Sequence, residues 1–304
     1  MPILIPKDLP ALEKLTGENI FVMDPARAGS QDIRPIEIAI VNLMPTKLET
    51  ETQLLRLLGN TPLQVNVTLI NTATHTSKNV SEEHLFKFYR SIDNLKNTRF
   101  DGLIVTGAPV ETLPFEEVDY WDELKEIMDF ADKYVTSVIY ICWGAQAALY
   151  HHYGIGKRGC PEKLFGVFPC HSSVRNDLLM KGMDDIFYIP ASRHTEIDVD
   201  AVKKCDKLQI LAESYIDKIG PVVLKSTDNR KFFFTGHVEY DRDTLKKEYL
   251  RDVEKGLPIS PPENYFIDGD LNRINMSWKS TANLLFYNWL NYYVYQVTPY
   301  DLKP

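Results

Sequence analysis

The chain has 304 residues, 44% of them hydrophobic and 25% charged, and a formal net charge of −8. That length accommodates one large α/β domain or two ordinary ones, and the composition excludes a disordered chain or a disulfide-stapled miniature. The acidic balance argues against a phosphate-tracking surface, so nucleic acid is not an expected partner.

After a Pro-bearing leader, "IEIAIVNL" (residues 36–43) predicts a buried strand, "ETETQLLRLLGN" an amphipathic helix ended by Gly59, and "LQVNVTLIN" an alternating strand. The rhythm continues with "SEEHLFKFYRSIDNL" as a helix opened by Ser81, "FDGLIVTGA" as a strand, "FEEVDYWDELKEIMDFADKY" as a helix and "VTSVIYIC" as a strand. Such alternation implies an α/β fold with a largely parallel sheet flanked by helices. The second half is more mixed. "GPVVLKSTDNRKFFFTG" predicts a hairpin around Asp228-Asn229, a charged helix starts near Asp243, and "TANLLFYNWLNYYVYQ" is an aromatic helix for the core or a dimer contact. With no repeat, low-complexity segment or linker, one domain over residues 1–304 is expected, with residues 1–35 as a leader on the core and residues 243–304 as a C-terminal helical part. No apolar run approaches the roughly 18 to 20 residues of a membrane span, and "MPILIPKDLP" lacks a signal-peptide h-region, so the expected location is the cytoplasm.

In "SVIYICWGAQAALYHHYGIG" a cysteine stands where a buried strand ends and a helix begins. Ligands of open parallel sheets sit beyond the carboxyl ends of the strands, which aims Cys142 at the functional edge. The first amides of the following helix would lower the thiol pKa and hold a developing oxyanion, with Trp143 as the first donor; a loop around "VTGAPVE" (residues 105–111) could give a second. The competing reading is a buried structural cysteine. His237 in "FFFTGHVEYD" follows an apolar run, and in an extended segment Glu239 would point the same way and orient the imidazole. A solvated His-Glu pair at a hairpin end is the alternative.

The order Cys142, then His237-x-Glu239, resembles the class I glutamine amidotransferases, with Val238 where those have proline. Longer stretches, "NLMPTKLETETQLLRLLGNTPLQV", "TGAPVETLPFEEVDYWDEL", "ICWGAQAALYHHYG", "FTGHVEYDRDTLKKEY" and "NLLFYNWLNYYVYQVTPYDL", are similar to the homoserine O-acyltransferases of methionine biosynthesis almost from end to end. The resemblance implies a class I glutamine amidotransferase-like (flavodoxin-like) fold with a nucleophile elbow. It also implies acyl transfer from a coenzyme A thioester to the hydroxyl of L-homoserine through a thioester on Cys142. His237 would act as the base and Glu239 would orient it. Cofactors are not expected, acetyl-CoA being a substrate, and a homodimer is.

The resemblance also places substrate contacts at Lys163, Ser192 and Arg251. Glu248 and Arg251 lie three apart on one helical face and suit the ammonium and carboxylate of a zwitterion; a surface salt bridge is the plainer reading. In this family glutamate at the end of the "TGAPVE" loop goes with acetyl-CoA and glycine with succinyl-CoA. Glu111 therefore favours the acetyl donor, by filling space and repelling succinate's carboxylate, although it could instead be a helix N-terminal acid. Succinyl transfer, glutamine hydrolysis and a catalytically silent binding protein remain the rival functions. "GIGKRG" (residues 154–159) follows a helix instead of a strand and reads as a C-cap and loop. Cys160, Cys170 and His171 lack zinc spacing, so no metal is expected; Cys205 completes the four cysteines, and His151 and His152 belong to the helix after Cys142.

Overall fold

The computed structural model describes residues 3–20, 22–23, 34–72, 80–96 and 98–299, and so leaves part of the predicted leader outside the described residues. The continuous apolar runs become the centre of a single sheet. In chain order its strands are β1 (Ile3–Leu4), β2 (Val22–Met23), β3 (Ile36–Val41), β4 (Val65–Ile70), β5 (Tyr89–Arg90), β6 (Phe100–Val105) and β7 (Val135–Ile141), then β8 (Lys157–Ser172), β9 (Phe187–Ile197), β10 (Leu208–Ser214), β11 (Pro221–Ser226) and β12 (Lys231–Phe234). Their spatial order is β2-β1-β4-β3-β6-β7-β12-β11-β10-β8-β9, with β5 beside β4. From β2 to β12 neighbours run parallel, and from β12 to β9 they run antiparallel.

The helices are α1 (Ala11–Gly17), α2 (Lys47–Leu58), α3 (Glu82–Phe88), α4 (Trp121–Tyr134), α5 (Trp143–Tyr153), α6 (Val199–Lys204), α7 (Thr244–Glu254) and α8 (Lys279–Asn288). Alternation along the central strands splits the core between the two faces. Ile139 and Ile141 of β7 pack with Leu54, Leu55 and Leu58 of α2 and with Leu285 and Phe286 of α8. Val138 and Tyr140 face the other way, onto Leu124, Ile127 and Met128 of α4 and the alanines of α5.

Two expectations need correction. The helix predicted over residues 81–95 covers only Glu82–Phe88: Ser81 caps it by accepting from the His84 amide, and the chain then enters β5, where Tyr89 and Arg90 pair with β4. The helix predicted from Phe115 begins at Trp121, after a single 3₁₀ turn over Phe115–Glu117. The hairpin around Asp228-Asn229 is present, with Asn229 at φ 62°, a conformation asparagine tolerates better than most residues. The aromatic segment continues α8 as π-helical turns over Trp289–Tyr295. Trp289 is fully buried, its indole N–H donates to Ser137 at 2.8 Å, and the lack of a side chain at Gly102 makes room for the ring. Among the described residues no helix is long and apolar enough to cross a membrane.

Candidate active site

β7 and β12 lie side by side and parallel, so the segments leaving their carboxyl ends emerge together. The last rung between them runs from the Cys142 amide to the Phe234 carbonyl at 2.7 Å. Cys142 has φ 50° and ψ −115°, a strained turn between strand and helix. The turn exists because Gly144 lets the first turn of α5 lie against β6: a Cβ there would sit 2.6 Å from the Thr106 carbonyl oxygen. Gly107, on the loop after β6, is fitted less tightly but lies against the same site, since a Cβ there would lie 3.3 Å from Cβ of Cys142 and 3.4 Å from Cε1 of His237. Trp143, the first residue of α5, is fully buried, and its amide is among the first of a helix, which have no partner within the helix.

His237 hydrogen-bonds Cys142 through its side chain and holds Glu239 Oε1 2.7 Å from Nδ1. The segment is not extended as the sequence suggested. Residues 238–239 form a turn, with the Tyr240 amide donating to the His237 carbonyl at 3.3 Å, and the turn itself brings the carboxylate back onto the ring. The His237 amide donates to the Pro190 carbonyl at 2.8 Å, and Gly236 permits that close approach to β9. Burial works against a charged imidazole, but Cys142 and Glu239 outweigh it and hold the His237 pKa well above the usual value.

Tyr240 was not singled out in the sequence. Its ring stacks on His237 with centroids 4.1 Å apart, and its hydroxyl donates to Glu248 Oε1 at 2.8 Å. Glu248 also accepts from Ser192 at 2.5 Å and lies 3.8 Å from Lys163. Lys163 pairs with Asp252 at 3.0 Å, and Arg251 pairs with the same carboxylate at 2.7 Å. Despite its burial, the Asp252 carboxyl is held below its usual pKa by Arg251 and Lys163. The structure therefore gathers Lys163, Ser192, Glu248 and Arg251 around one cluster, joined to His237 through Tyr240. It does not pair Glu248 with Arg251: the guanidinium turns to Asp252 and stays half exposed.

Glu111 is not a helix N-terminal acid. Its Oε2 accepts from the amides of His194 (2.9 Å) and Thr195 (3.2 Å) and lies 3.1 Å from the Thr195 hydroxyl. Arg193, next to Ser192, was also missed. It is fully buried and donates to the carbonyls of Thr235 (3.1 Å) and Ile219 (2.7 Å), bracing the backbone that leads into His237. Burial lowers its pKa, partly opposed by Cys142 and Cys160. A further buried polar group stands at the end of β3. Lys47 donates to the Asn42 carbonyl, burial lowers its pKa to about 8, and neighbouring Glu51 meets His84 at 3.0 Å and Tyr89 at 2.6 Å. In the sequence Glu51 lay in the amphipathic helix predicted over "ETETQLLRLLGN" and His84 and Tyr89 in the helix predicted after Ser81.

The remaining candidates lie elsewhere. Gly154 caps α5 in the left-handed conformation, and residues 157–159 already belong to β8. Cys160 and Cys170 are free thiols on β8, and burial raises Cys170 to about 12. The one cluster of metal-binding type among the described residues is Glu49, Asp241 and Asp243, whose carboxylates already pair with Lys14, Arg56 and Lys247.

The model of the homoserine O-succinyltransferase family matches residues 2–300. The chain belongs to this family. Relatives within the acyltransferase family include a homoserine O-acetyltransferase of Acetivibrio thermocellus, 57% identical over all of this chain and 99% of that protein. One of Clostridium tetani is 56% identical over 99% of both chains. Among solved structures, a glutamine amidotransferase of Thermotoga maritima aligns with 86% of this chain and 99% of its own at a TM-score of 0.57 and 12% identity. That likeness shows the fold of this acyltransferase-family chain to be class I glutamine amidotransferase-like.

Proposed function

We propose that the chain transfers an acetyl group from acetyl-CoA to the hydroxyl of L-homoserine, giving O-acetyl-L-homoserine and CoA for methionine biosynthesis. The observation that carries this reading is the Cys142–His237–Glu239 constellation at a strained strand-to-helix turn, in a chain more than half identical to named homoserine O-acetyltransferases. The Cys142 sulfur attacks the thioester carbonyl, and the oxyanion that forms is met by the Trp143 amide. Collapse of that intermediate breaks the carbon–sulfur bond to CoA, and the departing thiolate takes the proton held by His237. CoA then leaves, and homoserine enters. His237 removes its hydroxyl proton, the oxygen attacks the acyl carbonyl, and the Cys142 sulfur departs with the bonding pair.

Lys163, Ser192, Glu248 and Arg251 are assigned to the amino-acid substrate. Glu248 meets the ammonium and Arg251 the carboxylate, with Lys163 and Ser192 as further contacts. The occupied position of Glu111 supports the acetyl donor over the succinyl donor named by the family model. Both substrates are soluble metabolites, which supports a cytoplasmic enzyme, and the expected assembly is a homodimer.

Intact-protein mass spectrometry after incubation with acetyl-CoA alone tests the reading. One acetyl adduct, absent from Cys142→Ala, is the expected result, with turnover of that variant reduced by at least about 10³-fold. CoA release should need homoserine, and glutamine should yield no ammonia. A Cys142→Ala variant with near-full transfer activity would sink the assignment.

A further inference from the structure

β8 and β9 pair at Gly159 with Thr195 and again at Leu164 with Arg193, so residues 160–163 bulge out opposite the single residue His194. Lys163 leaves this bulge with its ammonium 4.2 Å from the centroid of the Phe165 ring and meets two carboxylates of α7. Those carboxylates, Glu248 and Asp252, stand four residues apart and so share one face of the helix. Lys163 donates to Asp252 Oδ2 at 3.0 Å but stops 3.8 Å from Glu248, beyond hydrogen-bond distance. Asp252 is buried, so this preference is made where water screens little.

The second oxygen of Asp252 takes the other cation. Oδ1 accepts from Arg251 Nε at 2.8 Å and lies 2.7 Å from Nη2, which occupies one bidentate edge of the guanidinium. The edge formed by Nη1 and Nη2 remains for an incoming carboxylate. Glu248, by contrast, accepts only from two neutral hydroxyls, those of Ser192 and Tyr240, and its charge has no cation at bonding distance. Lys163 and Arg251 carry two positive charges and Glu248 and Asp252 two negative ones, so the cluster is neutral as a whole, while its one unpaired carboxylate faces the place of a missing cation.

Resting on the assignment of this cluster to the amino-acid substrate, we infer that Asp252 is a positioning residue that sets specificity: by engaging Lys163 it keeps Glu248 unpaired for the substrate's ammonium, so that the subsite selects a zwitterion over the same hydroxy acid without its amino group. Without the Asp252 charge, Glu248 is the carboxylate left within reach of Lys163, and a small swing of the flexible lysine stem seats the ammonium there. The lysine would then stand where the substrate's own ammonium belongs. The subsite would also carry a surplus positive charge. Both changes penalise an acceptor with an amino group and spare one that has only a hydroxyl and a carboxylate, so they act in the same direction on selectivity.

The test is a competition between L-homoserine and 4-hydroxybutanoate, its analogue with hydrogen in place of the amino group, for acetyl-CoA. Mass spectrometry reads the ratio of O-acetylhomoserine to 4-acetoxybutanoate within each preparation, so that any loss of folded protein cancels. Wild type should favour homoserine. Asp252→Asn should lower the ratio at least about 10-fold, the effect of one unit of charge at short range in a partly buried site. Lys163→Met removes the cation instead and should raise the ratio, and Asp252→Asn/Lys163→Met, with the balance restored, should return to within about threefold of wild type. A role confined to holding the fold would not move the ratio in opposite directions. An unmoved ratio in Asp252→Asn, or a fall in Lys163→Met, refutes the inference; the second result decides even if Asp252→Asn yields no active protein. A wild type that acetylates neither acceptor would instead overturn the functional reading beneath it.

Discussion

Glu239→Gln removes one charge from the buried pair without changing its shape. In the wild type the carboxylate meets His237 Nδ1 at 2.7 Å, both side chains are nearly inaccessible, and Oε2 has no partner. The amide can turn its oxygen to the ring and place its NH₂ where Oε2 was, exchanging one unpartnered buried group for another. What is lost is the difference between a charge-assisted and a neutral hydrogen bond, about 1–2 kcal/mol, or roughly 5- to 30-fold in the stability of the imidazolium. The His237 pKa, raised in the wild type by Cys142 and Glu239 against burial, should fall. In the pH profile of Cys142 acetylation the alkaline limb, where the imidazolium loses its proton, should move to lower pH, and the rate at neutrality should drop about 10-fold.

Stability carries the same signature. A folded pKa raised above the unfolded value contributes stability that is complete below the unfolded pKa and disappears as pH rises through the folded one. The deficit of Glu239→Gln in denaturant melts should therefore be largest at mildly acidic pH and should shrink as the wild-type imidazolium deprotonates, because the wild type then buries an unpaired carboxylate. An unmoved alkaline limb together with a deficit independent of pH would refute the electrostatic role of Glu239.

Gly144→Ala should be destabilised by about 1–3 kcal/mol in denaturant melts, since its Cβ would meet a backbone oxygen at 2.6 Å that cannot step aside; an unchanged midpoint would mean that α5 moves freely relative to β6. Tyr240→Phe keeps the ring on His237 but removes the 2.8 Å bond to Glu248. The apparent KM for homoserine should rise about 3- to 10-fold while the rate of Cys142 acetylation by acetyl-CoA alone stays within about twofold. Equal losses in both steps would place Tyr240 in the positioning of the histidine instead.

The parallel half of the sheet was legible because strands buried on both faces leave continuous apolar runs and short helices leave periodic ones, as in Ile36–Val41 and Lys47–Leu58. The antiparallel half was not. β8 opens with residues 157–163, four of them charged, and bulges there, so its alternation breaks where a reader of sequence would look for it. His237 and Glu239 meet as expected but by a turn, which two-residue spacing cannot distinguish from extended chain. Helical spacing put Glu248 and Arg251 on one face, yet their partners come from elsewhere in the chain (Ser192, Tyr240) or from the very next residue (Asp252). Arg193 and Thr195 gave no signal of their own, because a buried arginine bonded to carbonyls and a threonine bonded to a distant glutamate are defined by tertiary contacts alone.

The rung from the Cys142 amide to the Phe234 carbonyl joins two segments separated by the whole of β8 to β11. During synthesis Cys142 leaves the ribosome long before β12 does, and until then the thiol has neither its histidine nor its last strand neighbour. Chemical competence thus cannot precede the synthesis of β12 and of the turn that carries His237. A truncated or stalled chain carries the cysteine without the means to use it.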